Sequence, residues 1–119
     1  MVSDPDTPIS WVGATLSDMR EQPPSAQRMM GFQLRRVQRG LEPQNWRPMP
    51  SIGKGVREIR VKDSDGIYRT VYVVVGDPSA VYVLAVFAKK TEKTPQSVKD
   101  LAAKRYKAVI EKSRKGEQQ

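Results

Sequence analysis

Four cations punctuate three strand-like runs of this sequence and are the residues best suited to do chemistry. Arg60 stands in the run 56–62, Arg69 in the run 67–75, and Lys89 and Lys90 at the exit of the run 80–88. In a meander of three adjacent strands, Arg60, either Arg69 or Tyr72, and either Lys89 or Lys90 can converge, in a register that periodicity alone does not fix. Lys54 and Arg57 approach from the mouth of the preceding loop, with Glu58 as the nearby carboxylate. Such a site suits cleavage of RNA through its own 2′-hydroxyl. A guanidinium offers paired donors to phosphate oxygens and stabilises the charge of a pentavalent transition state. A lysine crowded by other cations has its pKa lowered towards that of a general base, and holding the nucleotide in line supplies the remainder through orientation. Each member also has a plainer role. Arg57, Arg60 and Arg69 can be exposed residues of an uncovered sheet face, Lys89 and Lys90 solvated residues at a strand end, and Glu58 the partner of a neighbouring arginine. Tyr68, Tyr72 and Tyr82 read as packing residues, Trp11 and Trp46 as core or loop anchors.

Composition narrows the chemistry from the other side. The 119 residues include no histidine and no cysteine. That removes the commonest general acid/base, imidazole and thiolate metal ligands, disulfides and a cysteine nucleophile. Catalysis is left to Lys, Arg, Tyr, Asp or Glu, and neither a metal site nor a cofactor is expected. The formal charge is +8. Residues 27–88 carry ten basic against five acidic groups and residues 89–119 ten against four, whereas residues 1–26 are net acidic. A polyanionic partner is implied, nucleic acid first, with a membrane surface or an acidic protein as the other choices. No run of about 18 apolar residues occurs to span a bilayer, and the N-terminus lacks the basic and apolar regions of a secretory signal. A cytoplasmic protein without membrane attachment is the expectation.

The elements that must position these residues read as β-α-α-β-β-β-α, an α+β domain with an antiparallel sheet. Residues 9–12 suit a short edge strand. Thr15 or Ser17 opens a brief helix ended by Pro23-Pro24, and Ser25 opens a longer one that stops at Gly40. Met29, Phe32, Leu34 and Val37 recur there at helical spacing, while Arg28, Arg35, Arg36 and Arg39 occupy its other face. Residues 41–55, with three prolines and two glycines, read as a loop long enough to carry function. Asp63-Ser64-Asp65-Gly66 and Gly76-Asp77-Pro78-Ser79 mark two hairpin turns. Thr94-Pro95 reads as an N-cap with proline at the first position of a final amphipathic helix. One domain covers 1–119, with its core over about 8–110 and flexible ends at 1–7 and 113–119.

The segments FQLRRVQRGL, GVREIRV, YRTVYVV and VYVLAVFAKKTEKTP, in that order, resemble RelE/ParE-superfamily toxins, and among them the phage-derived, HigB-like branch. The likeness spans roughly residues 8–110. It implies a RelE-like microdomain with two N-terminal helices packed on a small antiparallel sheet and a C-terminal helix. It also implies the toxin of a type II toxin–antitoxin system, an mRNA interferase that cleaves mRNA in the ribosomal A site without a metal. A small HigA-like helix-turn-helix antitoxin would neutralise it. By the same resemblance Arg60 falls at the catalytic lysine of RelE-type toxins, Arg69 at the arginine that binds the scissile phosphate, and Lys90, or Lys89, near the basic residue after the last strand. Lys54, Arg57 and Lys93 belong to the branch's own pattern, and Arg35, Arg36 and Arg39 to a surface for RNA or the ribosome. The sequence departs from the family in two ways: it lacks the histidine of HigB-type sites, and Tyr106 lies too far into the last helix to stand for the C-terminal tyrosine of RelE-type toxins.

Two other readings use the same residues. One is a gyrase-directed or non-catalytic toxin of the same fold, the other a basic phage protein that binds nucleic acid or ribosomes. Loss of toxicity on Arg69→Ala, with the fold intact, is what the nuclease reading expects.

Overall fold

A computed structural model describes residues 6–89 and 93–117. Its elements are β1 (Ile9–Trp11), α1 (Thr15–Arg20), α2 (Pro24–Gln38), β2 (Trp46–Pro48), β3 (Arg57–Asp63), β4 (Gly66–Val75), β5 (Ala80–Lys89) and α3 (Gln96–Glu117). The five strands form one sheet in the order β1-β5-β4-β3-β2. This is a mixed α+β arrangement, and among the described residues no helix is long and apolar enough to cross a membrane.

Four local expectations need correction. The stretch 41–55 is not wholly a loop, because Trp46–Pro48 pairs antiparallel with β3, Trp46 opposite Ile59 and Pro48 opposite Arg57. A three-residue strand is too short to show a period, and its proline sits on an edge where a missing N–H does no harm. The sheet is not purely antiparallel either. β1 runs parallel to β5, with Ile9 opposite Val81 and Trp11 opposite Val83. Strand direction follows from the long path between the two, which no local pattern records. The second helix starts at Pro24, whose fixed φ suits a first turn, and the Ser25 hydroxyl instead donates to Asp63 Oδ2 at 2.8 Å. Finally, α3 starts at Gln96 and continues to Glu117, through residues expected to fray.

Alternation along the strands builds two cores, one on each face. On one side Ile59, Val61, Tyr68, Tyr72, Val81 and Val83 meet Met30, Leu34 and Val37 of α2. On the other, Val56, Val71, Val73, Leu84 and Ala85 meet Ala102 and Val109 of α3. Leu84 is an extra residue in β5, since Val71 faces Ala85 while Tyr72 faces Val83. This bulge places two successive residues on the α3 side, and Arg105 Nη1 donates to the Leu84 carbonyl at 2.8 Å. The β3–β4 turn is drawn tight by Asp63, whose Oδ1 accepts from the amides of Asp65 at 2.8 Å and Gly66 at 3.0 Å.

Candidate functional site

Glu58 and Arg60 of β3 alternate in phase with Val56, and Arg69 of β4 in phase with Val71 and Val73, so all three belong to the sheet face that α3 covers. Arg60 and Arg69 are directly opposed across the ladder. Arg69 and Glu58 are both fully buried, at 0% exposure. The Arg69 Nη1 donates to Glu58 Oε1 at 3.2 Å and lies 3.5 Å from the Thr94 hydroxyl. Thr94 in turn donates to Glu58 Oε2 at 2.6 Å. It is therefore not the N-cap of α3: a carboxylate taken wholly out of water needs that hydroxyl more than the helix end does.

A fifth member arrives from β2. Arg47, opposite Glu58 in the β2–β3 register, donates from Nε to Glu58 Oε1 at 3.1 Å and from Nη2 to the Thr94 hydroxyl at 3.1 Å. Its side chain remains 39% exposed, so it runs from the buried carboxylate to solvent. Burial pushes the Arg69 guanidinium below its ordinary pKa; Glu58 opposes that, and the charges of Arg60 and Arg47 add to it. Two guanidinium groups, those of Arg47 and Arg69, thus bond to the Glu58 carboxylate, and Arg60 stands opposite Arg69 across the ladder.

The other expected residues divide plainly. Lys93 is exposed and immediately precedes Thr94. Lys89 is the last residue of β5, in register with Ile67, and Lys90 lies outside the described residues. Tyr72 and Arg57 do not join the cluster. They are cross-strand partners on the α2 face, where the Arg57 guanidinium lies 4.0 Å from the centroid of the Trp46 ring and lines a groove of about 540 Å³ with Leu41, Glu42 and Val74. Lys54 is also elsewhere, in a cavity of about 460 Å³ with Val75, Tyr106 and Arg114. Arg35 and Arg36 of α2, and Arg39 at its C-cap, belong to the helix that covers the opposite face of the sheet. Tyr106 does not approach the cluster either; its hydroxyl donates to the Lys54 carbonyl at 3.0 Å.

Residues 17–107, which include every member of the cluster, match the family model described as Phage derived protein Gp49-like (DUF891). The chain belongs to the Gp49-like family. This is a family of RelE/ParE-like toxins, associated with toxin–antitoxin systems. No curated protein matches the chain.

Two features of the candidate site of this Gp49-like protein escape sequence reading. Arg47 was hidden in a segment without periodicity, although a carboxylate inside a strand, at Glu58, signals a need for more than one donor. The burial of Arg69 was hidden too. Its position in a hydrophobic run was visible, but Thr94 closes over it from the far side of a connection whose path the sequence does not give.

Proposed function

We propose that this Gp49-like protein is a type II toxin that cleaves mRNA on the ribosome, through the 2′-hydroxyl and without a metal, at the Arg47–Arg60–Arg69 cluster. The observation that supports this reading is the pairing of Arg47 and Arg69 with the buried carboxylate of Glu58, with Arg60 directly opposite Arg69 on the same sheet face. In the reaction the RNA 2′-hydroxyl gives its proton to solvent water as its oxygen attacks the adjacent phosphorus, the P–O5′ bond breaks, and the leaving 5′-oxygen takes a proton from water, so that a 2′,3′-cyclic phosphate and a 5′-hydroxyl result. Arg60 and the exposed part of Arg47 would hold the phosphate in line and stabilise its growing charge. Arg69, at 0% exposure, would act behind them, fixing Glu58 and raising the local positive potential. Glu58 already accepts from Arg47, Arg69 and Thr94, which makes it a brace and not the proton acceptor. Lys93, exposed and next to Thr94, would extend the cationic rim. Within the same proposal, the protein works in the cytoplasm and is held inactive by a small helix-turn-helix antitoxin.

Induced expression in bacteria tests the proposal. Growth should stop, transcripts should carry 2′,3′-cyclic phosphate ends, and chelators added to a purified translation system should change nothing. Arg60→Ala should restore growth and remove the cuts. Undiminished cleavage by a folded Arg60→Ala protein would sink the assignment.

The complete burial of Arg69 favours a second reading, in which the cluster braces the sheet and the toxin acts without cutting RNA. Inhibition of purified gyrase in a supercoiling assay, together with intact transcripts, would establish it.

A further inference from the structure

Thr94 forgoes two arrangements that would serve stability alone. It stands two residues before Gln96, where α3 begins, yet its hydroxyl turns from the helix start into the Glu58 cluster, and the residue is only 6% exposed. A hydroxyl has one proton to give and two lone pairs. The proton goes to Glu58 Oε2 at 2.6 Å, and the lone pairs face Arg47 Nη2 at 3.1 Å and Arg69 Nη1 at 3.5 Å. One neutral oxygen is thus shared by a carboxylate of β3 and guanidinium groups of β2 and β4.

The second arrangement forgone concerns Arg47. A guanidinium beside a carboxylate prefers the fork in which two N–H groups meet two oxygens. Here Arg47 Nε reaches Glu58 Oε1 at 3.1 Å, but Oε2 is taken by the shorter bond from Thr94. The hydroxyl therefore stands as a spacer between Arg47 Nη2 and Oε2. Without it the fork would close on Glu58 and draw the guanidinium inward. With it, the group is tied at its inner edge, and among the described residues its outer Nη1 makes no hydrogen bond. Bracing Glu58 would need no such spacer, since a closed fork would satisfy both carboxylate oxygens with one group fewer.

We infer that Thr94 is a positioning residue of this site, a spacer that holds the Nη1 edge of Arg47 outward where a phosphate oxygen arrives. It acts through Arg47 and does not itself touch the phosphate. The inference rests on the reading of the cluster as a site for an RNA phosphate, and it adds to that reading what sets the reach of Arg47.

The test is an NMR titration of the full chain with an uncleavable 2′-O-methyl oligonucleotide, its local affinity read from the backbone amides of residues 47 and 58. Thr94→Val keeps the side-chain shape and removes the hydroxyl. It should displace the Arg47 Nε–H signal before any oligonucleotide is added, and weaken local binding about as much as Arg47→Ala does. Thr94→Ser should restore both. In an Arg47→Ala background Thr94→Val should weaken binding no further, because the two residues act as one. Thr94→Ala gives the same comparison should Thr94→Val not fold. Parent-like binding by a folded variant without the hydroxyl, losses that multiply with those of Arg47→Ala, or failure of Thr94→Ser to restore binding overturns the inference. Cleavage is read separately. Binding that depends on Thr94 and Arg47 beside uncut transcripts keeps the spacer and removes the reaction, whereas cuts and binding both indifferent to Thr94→Val keep the reaction and remove the spacer.

Discussion

Arg60 and Arg69 occupy directly opposed positions on β3 and β4, two like charges at a single cross-strand pair. Like charges so placed destabilise a sheet. One of the two is fully buried, and it is held by a carboxylate that is equally buried. The arrangement makes stability and positive potential depend on the same few atoms.

Glu58→Gln removes the charge that Arg69 is buried against. Breaking a buried pair from one side costs about 3–5 kcal/mol, so the urea midpoint should fall sharply with an unchanged slope. Arg69→Ala should cost a similar amount, because it leaves Glu58 with Arg47 and Thr94 alone. Arg69→Ala is thus expected to disturb the fold as well as the site, because Arg69 is buried against Glu58. Replacing the pair together, Glu58→Leu with Arg69→Met, should recover most of the loss while leaving the toxin inactive. A single-variant loss below about 1 kcal/mol would mean the pair is dispensable.

Arg60→Ala and Arg47→Ala should behave in the opposite way. Arg60 is half-buried and Arg47 39% exposed, so truncation should move the thermal midpoint by only a few degrees. Cleavage should fall on the order of 100-fold for each, the scale of one lost transition-state donor. Arg47→Lys should recover little, since an ammonium lacks the planar fork with which Arg47 reaches both Glu58 and Thr94. Circular dichroism and a transcript-cleavage assay on the same preparations decide the matter.

How far the sequence led can be read from these residues. A period of two in β3 sets Arg60 and Arg57 on opposite faces without tertiary information, yet the expected site kept Arg57 at its mouth, whereas Arg57 stands with Tyr72 on the α2 face. The same rule sets Tyr72 on the face opposite Arg69, but the reading let either residue stand for β4 and so kept a tyrosine that belongs with Arg57. Arg47 was out of reach, because a three-residue edge strand carries no period at all. Thr94-Pro95 looked like a helix start and nearly is one, yet the hydroxyl serves a carboxylate 36 residues away. Local preference lost there to the demand of a buried charge.

Tyr106 is legible only in three dimensions. A Cβ added at Gly53 would collide with the Tyr106 ring, and the Tyr106 hydroxyl donates to the carbonyl of Lys54. Gly53→Ala should cost about 1–3 kcal/mol through overpacking. Removing the ring as well, in Gly53→Ala with Tyr106→Ala, should cost clearly less than the two single losses added together. Additive losses in a denaturation cycle would show that the two residues do not pack as described.

Asp63 ties α2 to the β3–β4 turn and makes stability depend on acid pH. The Ser25 hydroxyl, then the amide of Asp65, hold its carboxyl below the ordinary value of 3.8. A carboxyl whose folded pKa is depressed stabilises the fold above its unfolded pKa, and that contribution disappears as pH falls through the lower, folded value. Ser25→Ala removes the largest of these causes. The variant should be less stable than the parent near neutral pH, and the gap should narrow as pH drops from about 5 towards about 2, where protonated Asp63 no longer prefers the folded state. Urea melts at a series of pH values measure that gap directly. A gap of constant size across the series would place the effect of Ser25 in the helix start itself and not in its bond to Asp63.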